Sequence, residues 1–343
     1  MARARIPGAT ATILGLLLVV AACGSGPAPA PDLAHDPAPE PTAVSIEAAR
    51  TELKDLISDV TAADAFRYRT ADDVGRWMDT AKIIPIPETG EFAAVYHTWN
   101  DADQAFHVEL ATSGDLTHWT WRDELGSKAS QPTIQRMSDG GYVVAWEQEP
   151  DPIHLVLESF DSWDDLRVGA FSRVMELPVT TPACGEGTPS IRSASSTLVE
   201  VGFHYHGGCV ADREAEGTTD WDTWQATARH DIDDALMLAG ARGHIGDRDE
   251  ITFRGHELML VDAQLVFEDF GSWRTFLYDE ETGVAEQLAI RTHAGSLAFA
   301  NPAIEQVEIG GKPALMMGFY LFTEGARGDE DGELTYYRTL PAD

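Results

Sequence analysis

Gln131-Pro-Thr-Ile134 runs into the alternating stretch Tyr142-Val-Val-Ala-Trp146, Thr188-Pro-Ser-Ile191 into Leu198 to Tyr205, and Asn301-Pro-Ala-Ile304 into Ala314 to Phe322. The same order of turn, proline, isoleucine and apolar strand thus occurs three times. The prolines stand 57 and then 113 residues apart, and 113 is twice 56.5. A copy lacking the proline is therefore expected near residue 246, where Gly246-Asp-Arg-Asp249 leads into Ile251 to Phe253 and Leu258 to Val261. One period before Pro132 falls near residue 76, beside Trp77-Met-Asp79 and the strand Phe92 to His97. Five units of about 56 residues then fill 63 to 343, and a period in this range marks a repeat architecture.

A second element recurs late in the units: Asp115-Leu-Thr-His-Trp119, Asp161-Ser-Trp-Asp-Asp-Leu166, Asp220-Trp-Asp-Thr-Trp224 and Phe270-Gly-Ser-Trp273. A four-stranded sheet cannot bury both faces until neighbours stack around an axis, so units of this length predict propeller blades. The expected fold is all-β, a five-bladed β-propeller over 66–343. A β-sandwich gives no reason for the long period, and a parallel β-helix repeats at a shorter one.

Outside the repeats, Ile46, Ala49, Leu53, Leu56/Ile57 and Val60 have helical spacing after Ser45, a suitable N-cap, which predicts one short helix over 45–65 packed on the outside of the propeller. Residues 23–44 include GSGPAPAPDLAHDPAPEPT, a Pro/Ala-rich linker too poor in apolar groups to order itself. Residues 1–22 carry Arg3 and Arg5 and an apolar run from Ala11 to Ala22. That run is shorter than the roughly 20 residues a membrane span needs, and has the form of a signal peptide. It ends in Val20-Ala-Ala-Cys23, which resembles the bacterial lipobox. The resemblance implies a lipoprotein acylated at Cys23, anchored to the extracytoplasmic face of the cell membrane. An ordinary secretory signal cleaved near Ala22 is the alternative. With Cys23 acylated, Cys184 and Cys209 remain as an even pair in an oxidising compartment, expected to form a disulfide rather than stay as buried thiols.

Lys+Arg total 24 against Asp+Glu 57, a formal charge of −33 spread along the chain. This excludes nucleic-acid partners and leaves the lipid anchor as the only membrane contact. No nucleotide, flavin or haem fingerprint occurs, so no organic cofactor is expected, and the sequence is silent on an axial calcium. The chain is expected to act as a monomer.

Glu109-Leu-Ala-Thr-Ser-Gly-Asp-Leu-Thr-His-Trp119 resembles the phrase that closes blades in the five-bladed glycoside hydrolases (arabinanases, xylosidases, invertases and levansucrases), and Asp139-Gly-Gly-Tyr142 is similar to their strand entry. The resemblance spans roughly residues 75 to 340 as short scattered phrases. It implies a carbohydrate ligand and three carboxylates at the beginnings of the innermost strands, because one carboxyl protonates the leaving oxygen while another activates water or attacks the sugar. Asp79 stands at the first of these positions. Gln131 replaces the second, and Thr188 the third, with Glu186 two residues earlier.

Asp249 and Asp262 in the fourth unit are the other candidate acids or bases, with Arg248 and Gln264, alongside Gln131 and Asn301, as sugar contacts. Salt bridges to Arg248 or Arg274 are the plainer explanation of those carboxylates. His204 and His206 flank Tyr205 and share a strand face, suited to sugar contact or packing; no third metal ligand is identified, so no metal site is assigned. Glu147, at a strand end, reads as a rim residue. Three functions remain open: a surface glycosidase using Asp79, Glu186 and Asp249 or Asp262; a non-catalytic glycan-binding lipoprotein; and an envelope protein-interaction propeller.

Overall fold

Each proline signature becomes a bulge in an innermost strand. The ladder to the second strand breaks between Ser130 and Thr133, Gly187 and Ser190, and Ala300 and Ala303, with the prolines inside the breaks. A bulged residue has no ladder bond to give up, so proline costs nothing there. Matching breaks lie between Asp79 and Lys82 and between Ile245 and Arg248. Ala81 and Asp247 therefore occupy the proline position in the first and fourth units, Asp247 one residue beyond the predicted 246.

The computed structural model describes residues 44–341 apart from 151 and 182. Helix α1 (Ile46–Ile57) and strand β1 (Ala65–Tyr68) precede the blades. Blade one is β2 (Asp79–Ile86), β3 (Glu91–Asn100), β4 (Ala105–Ser113) and β5 (Thr120–Ser127). Blade two is β6 (Ala129–Arg136), β7 (Tyr142–Gln148), β8 (His154–Phe160) and, after the short helix α2 (Trp163–Leu166), β9 (Arg173–Glu176). Blade three is β10 (Ala183–Ala194), β11 (Val199–Gly207), β12 (Ala211–Thr219) and β13 (Trp224–Ala228), followed by helix α3 (His230–Ala239). Blade four is β14 (Ile245–Phe253), β15 (His256–Gln264), β16 (Trp273–Asp279) and β17 (Val284–Gln287). Blade five is β18 (Ala300–Ile309), β19 (Lys312–Leu321) and β20 (Gly332–Thr339), with β1 as its outer strand. The ring is thus closed by pairing the first strand with the last, Ala65 opposite Tyr337. Closure removes the free edges that would otherwise template aggregation.

The core lies between blades. Ile84, Val95, Ile134 and Trp146 pack blades one and two together, while Leu155, Leu157, Val201 and Phe203 pack two and three. Helix α1, capped by Ser45, lays Ala49, Leu53, Leu56 and Ile57 on blades four and five, so the predicted helix is present but ends at Ile57 rather than 65. Helix α3 was not anticipated, although Ile232, Ala235 and Leu236 are its buried stripe. The acid-rich turns also need one correction. In blades one and three they are Asx turns before the outer strand, Asp115 and Asp220 accepting backbone N–H groups two and three residues on. In blade four that role belongs to Asp279, and Phe270 to Trp273 lies one strand earlier.

Cys184 and Cys209 are disulfide-bonded, tying the start of β10 to the β11–β12 turn with Cα atoms 5.3 Å apart. Reducing the conformational freedom of the unfolded chain by closing this loop stabilises by roughly 3 kcal/mol. Cys209→Ser is expected to lower the urea midpoint accordingly, and an unchanged midpoint would show that the closure contributes nothing.

Candidate functional site

The first residue in each bulge is Thr80, Gln131, Thr188, Gly246 or Asn301. The four that are not glycine have left-handed backbone, with φ of 56°, 52°, 43° and 46° respectively. Such a conformation costs about 1–3 kcal/mol per residue and persists only where surroundings hold it. Here the preceding blade supplies the hold. The N–H of Gln131 donates to His97 Nδ1 at 3.0 Å, that of Thr188 to Glu147 Oε1 at 2.6 Å, that of Asn301 to Asp262 Oδ2 at 2.5 Å, and that of Thr80 to Glu333 Oε2 at 3.1 Å. Blades one and four lack the proline and so have a second free N–H. Asp262 Oδ1 takes that of Asp247 at 2.9 Å, and the Ala81 N–H favours the charged form of Glu333 against the larger effect of its burial. At Gly246 a Cβ would collide with Asp262, which accounts for glycine there. Burial pushes His97 down to about 3, so its imidazole stays neutral and able to accept. Burial pushes Glu147 up to about 7 and, with the nearby Asp247 charge, Asp262 up to about 8.

The axis itself is filled by charge. Lys82 Nζ donates to the carbonyls of Arg248 (3.0 Å) and Pro302 and pairs with Asp247 at 3.1 Å, joining blades one, four and five. Arg248 joins blades three and four: it grips Glu214 at 2.6 and 2.9 Å and the Thr188 carbonyl at 2.9 Å. Asp249 accepts the Ile304 N–H at 2.9 Å.

A pocket of about 1130 Å³ opens at the end of the ring where the innermost strands of blades two to five begin. Of the residues singled out in the sequence, Gln131, Glu186, His204, His206, Asp262, Gln264 and Asn301 line it. Asp79, Arg248 and Asp249 do not. Asp79 is a half-buried carboxyl that burial raises to about 6, and Arg248 and Asp249 belong to the axial network. Neither Arg248 nor Arg274 bridges Asp262; the Arg274 guanidinium donates to the carbonyls of Gly271 and Trp273. Cys23 lies outside the described residues. Asn301 Nδ2 donates to Gln131 Oε1 at 2.8 Å, linking blades five and two beside the pocket. Glu186 Oε1 accepts from Thr180 N, Thr181 N and Thr181 Oγ1, whereas its buried Oε2 has no partner.

Two parts of the pocket were missed in the sequence. Phe270, Trp273 and Phe322 form an aromatic wall, the Phe270 and Phe322 rings 5.0 Å apart edge to face and Trp273 stacked on Phe322 at 6.3 Å. Asp212 and His244 complete a cluster with His206: Asp212 lies directly across the β11–β12 ladder from His206, a partner that hairpin register would have revealed, whereas His244 comes from the loop after α3.

Among solved structures, the chain is similar to the α-L-arabinanase of Penicillium chrysogenum complexed with arabinobiose, at 10% identity over 81% of this chain and 98% of that one, with a TM-score of 0.52. It is similar to the endo-arabinase of Bacteroides thetaiotaomicron at 9% identity over 81% and 98%, TM-score 0.52. It also matches the family-43 endo-arabinanase of Bacillus licheniformis at 11% identity over 81% and 98%, TM-score 0.50. The chain has the five-bladed propeller fold of these enzymes. No protein-family model and no curated protein matches the sequence.

Proposed function

We propose that this propeller binds an oligosaccharide in the pocket at the inner-strand ends and does not cleave it by the two-carboxylate mechanism. The observation that carries this reading is one cavity combining an aromatic wall (Phe270, Trp273, Phe322) with convergent amide and imidazole groups (Gln131, Gln264, His204, Asn301). Aromatic faces take the C–H side of a sugar ring while the polar groups take its hydroxyls. Against hydrolysis stand Thr80, Gln131 and Thr188 at the strand entrances. Glu147 Oε1 and Asp262 Oδ2 each accept a backbone N–H of the next blade, while Glu147 Oε2 and Asp262 Oδ1 are engaged within their own blades; Glu186 keeps one buried oxygen without a protein partner, and Glu268 lies exposed in the loop after β15.

The arabinanases of the same fold support a plant-type or microbial furanoside as ligand. Arg3, Arg5, the apolar run to Ala22 and Cys23 support a lipoprotein on the extracytoplasmic face of the membrane, acting as a monomer. Cys23→Ser is expected to release the protein from the membrane fraction. For the pocket, a glycan array probed with the purified chain identifies the ligand. Phe270, 49% exposed, can then be replaced by alanine without opening the core. Phe270→Ala is expected to weaken binding about tenfold, about 1.4 kcal/mol. Absence of any glycan ligand, or unchanged affinity in Phe270→Ala, would remove this reading.

A further inference from the structure

We infer that His206, Asp212 and His244 form a binding site for a zinc-class divalent ion in the pocket wall, with His204 as an additional donor. His206 Nδ1 lies 2.7 Å from Asp212 Oδ1 and His244 Nδ1 2.7 Å from Oδ2, and one ligand atom from each residue falls within 4.8 Å of the others. Donors around a tetrahedral zinc stand about 3.3 Å apart, given bonds near 2.0–2.1 Å, so modest side-chain rotation closes the set on an ion. His204 Nε2 is 3.9 Å from Asp212 Oδ1 and points into the same group.

Each donor is already held in place. Asp212 and His206 are cross-strand partners on a hairpin whose turn is stapled to β10 by the Cys184–Cys209 disulfide. The His244 ring stacks on Phe267 at 4.9 Å, and its backbone N–H donates to Gln264. His204 Nδ1 is 2.5 Å from Thr188 Oγ1, which leaves Nε2 free, the outer contact that commonly orients a ligating imidazole. The imidazole-rich donor set suits zinc or a similar first-row ion, whereas calcium and magnesium favour oxygen-only surroundings. On binding, the ion accepts a lone pair from each neutral imidazole and from the carboxylate, and protons on the coordinating nitrogens move to the far ring nitrogen or to solvent. All four side chains line the pocket, so an ion held by His206, Asp212 and His244 has its fourth position towards the pocket, where His204 or the pocket's occupant can take it.

This site does not depend on the pocket holding a sugar. The test is calorimetric titration of the chelator-stripped full chain with zinc sulfate, together with the visible spectrum of the cobalt(II) form. One equivalent is expected to bind, with at least a hundredfold loss of affinity in His244→Ala and in His206→Gln, while both variants keep the wild-type circular dichroism and melting temperature in chelator. Should His244→Ala fail to fold, His206→Gln, whose side chain is 34% exposed, carries the comparison. Failure of wild type to bind zinc stoichiometrically, or full-affinity binding in the folded variants, would overturn the assignment; a hydrogen-bonded His–Asp–His bridge would then be its whole role.

Discussion

Arg248→Met is expected to destabilise the ring by about 3–5 kcal/mol, the usual cost of leaving one half of a buried ion pair unmatched. Arg248 is 1% exposed, and its guanidinium meets both oxygens of Glu214, itself 1% exposed, at 2.6 and 2.9 Å. It also caps the Thr188 carbonyl at 2.9 Å, so one side chain closes the seam between blades three and four. Burial already pushes the Glu214 carboxyl up to about 8 against the opposing pull of Arg248. Without the guanidinium it rises further, and the variant therefore loses more stability at pH 8 than at pH 5. Adding Glu214→Gln removes the stranded carboxyl and, with it, the pH dependence, and is expected to recover most of the loss. Denaturant melts of the single and double variants at both pH values check this, and equal midpoints for the two would contradict it.

The second large effect is at Asp262. Asp262→Ala removes the acceptor of two buried N–H groups, those of Asp247 and Asn301, at about 1–3 kcal/mol each. The same residue sets a pH dependence. Its folded value of about 8 lies above the ordinary 3.8, so the folded state holds the proton more tightly. Stability is then full below about pH 4 and declines as pH rises towards 8. Glu147, raised to about 7, acts in the same direction. The melting temperature of the wild type is expected to fall between pH 5 and 8. Asp262→Asn keeps one acceptor oxygen and is expected to flatten that slope. A melting temperature that climbs over this range would refute the assignment.

These seams explain which parts of the molecule could be read from the sequence. The proline signatures were legible because a bulge is a local backbone event: proline fits where no ladder bond is made, and the spacing of bulges is the spacing of blades. The helix at α1 was legible for the same local reason, its stripe and its cap lying within one segment. The disulfide was legible because setting Cys23 aside leaves a single pair of cysteines. The carboxylates were harder. Asp262 looks like a candidate acid along the chain and Glu147 like a rim residue, yet each accepts a backbone N–H of the next blade, which no local pattern displays. Asp79 falls one residue before the strand-entry position, which Thr80 occupies, and the pocket lies over blades two to five. Phe270 and Trp273 look like the late-unit repeat element along the chain, but in blade four that element is the Asp279 turn and they stand one strand earlier. His244 joins His206 only where the segment after α3 folds back beside blade three, and Phe322 reaches Phe270 only across the seam between blades four and five. Gln131 and Asn301, chosen as sugar contacts, do line the pocket, although they also bond to one another.

We propose that the acidic side chains at the inner strand ends fasten blade to blade and leave a cavity that holds a glycan without cutting it. Prolonged incubation of the purified chain with the oligosaccharide it binds best, followed by chromatography of the sugar, tests this most directly. The ligand is expected to be recovered intact at every time point. Time-dependent shortening of the oligosaccharide that disappears in Glu186→Gln would contradict the account and make Glu186 a catalytic carboxylate.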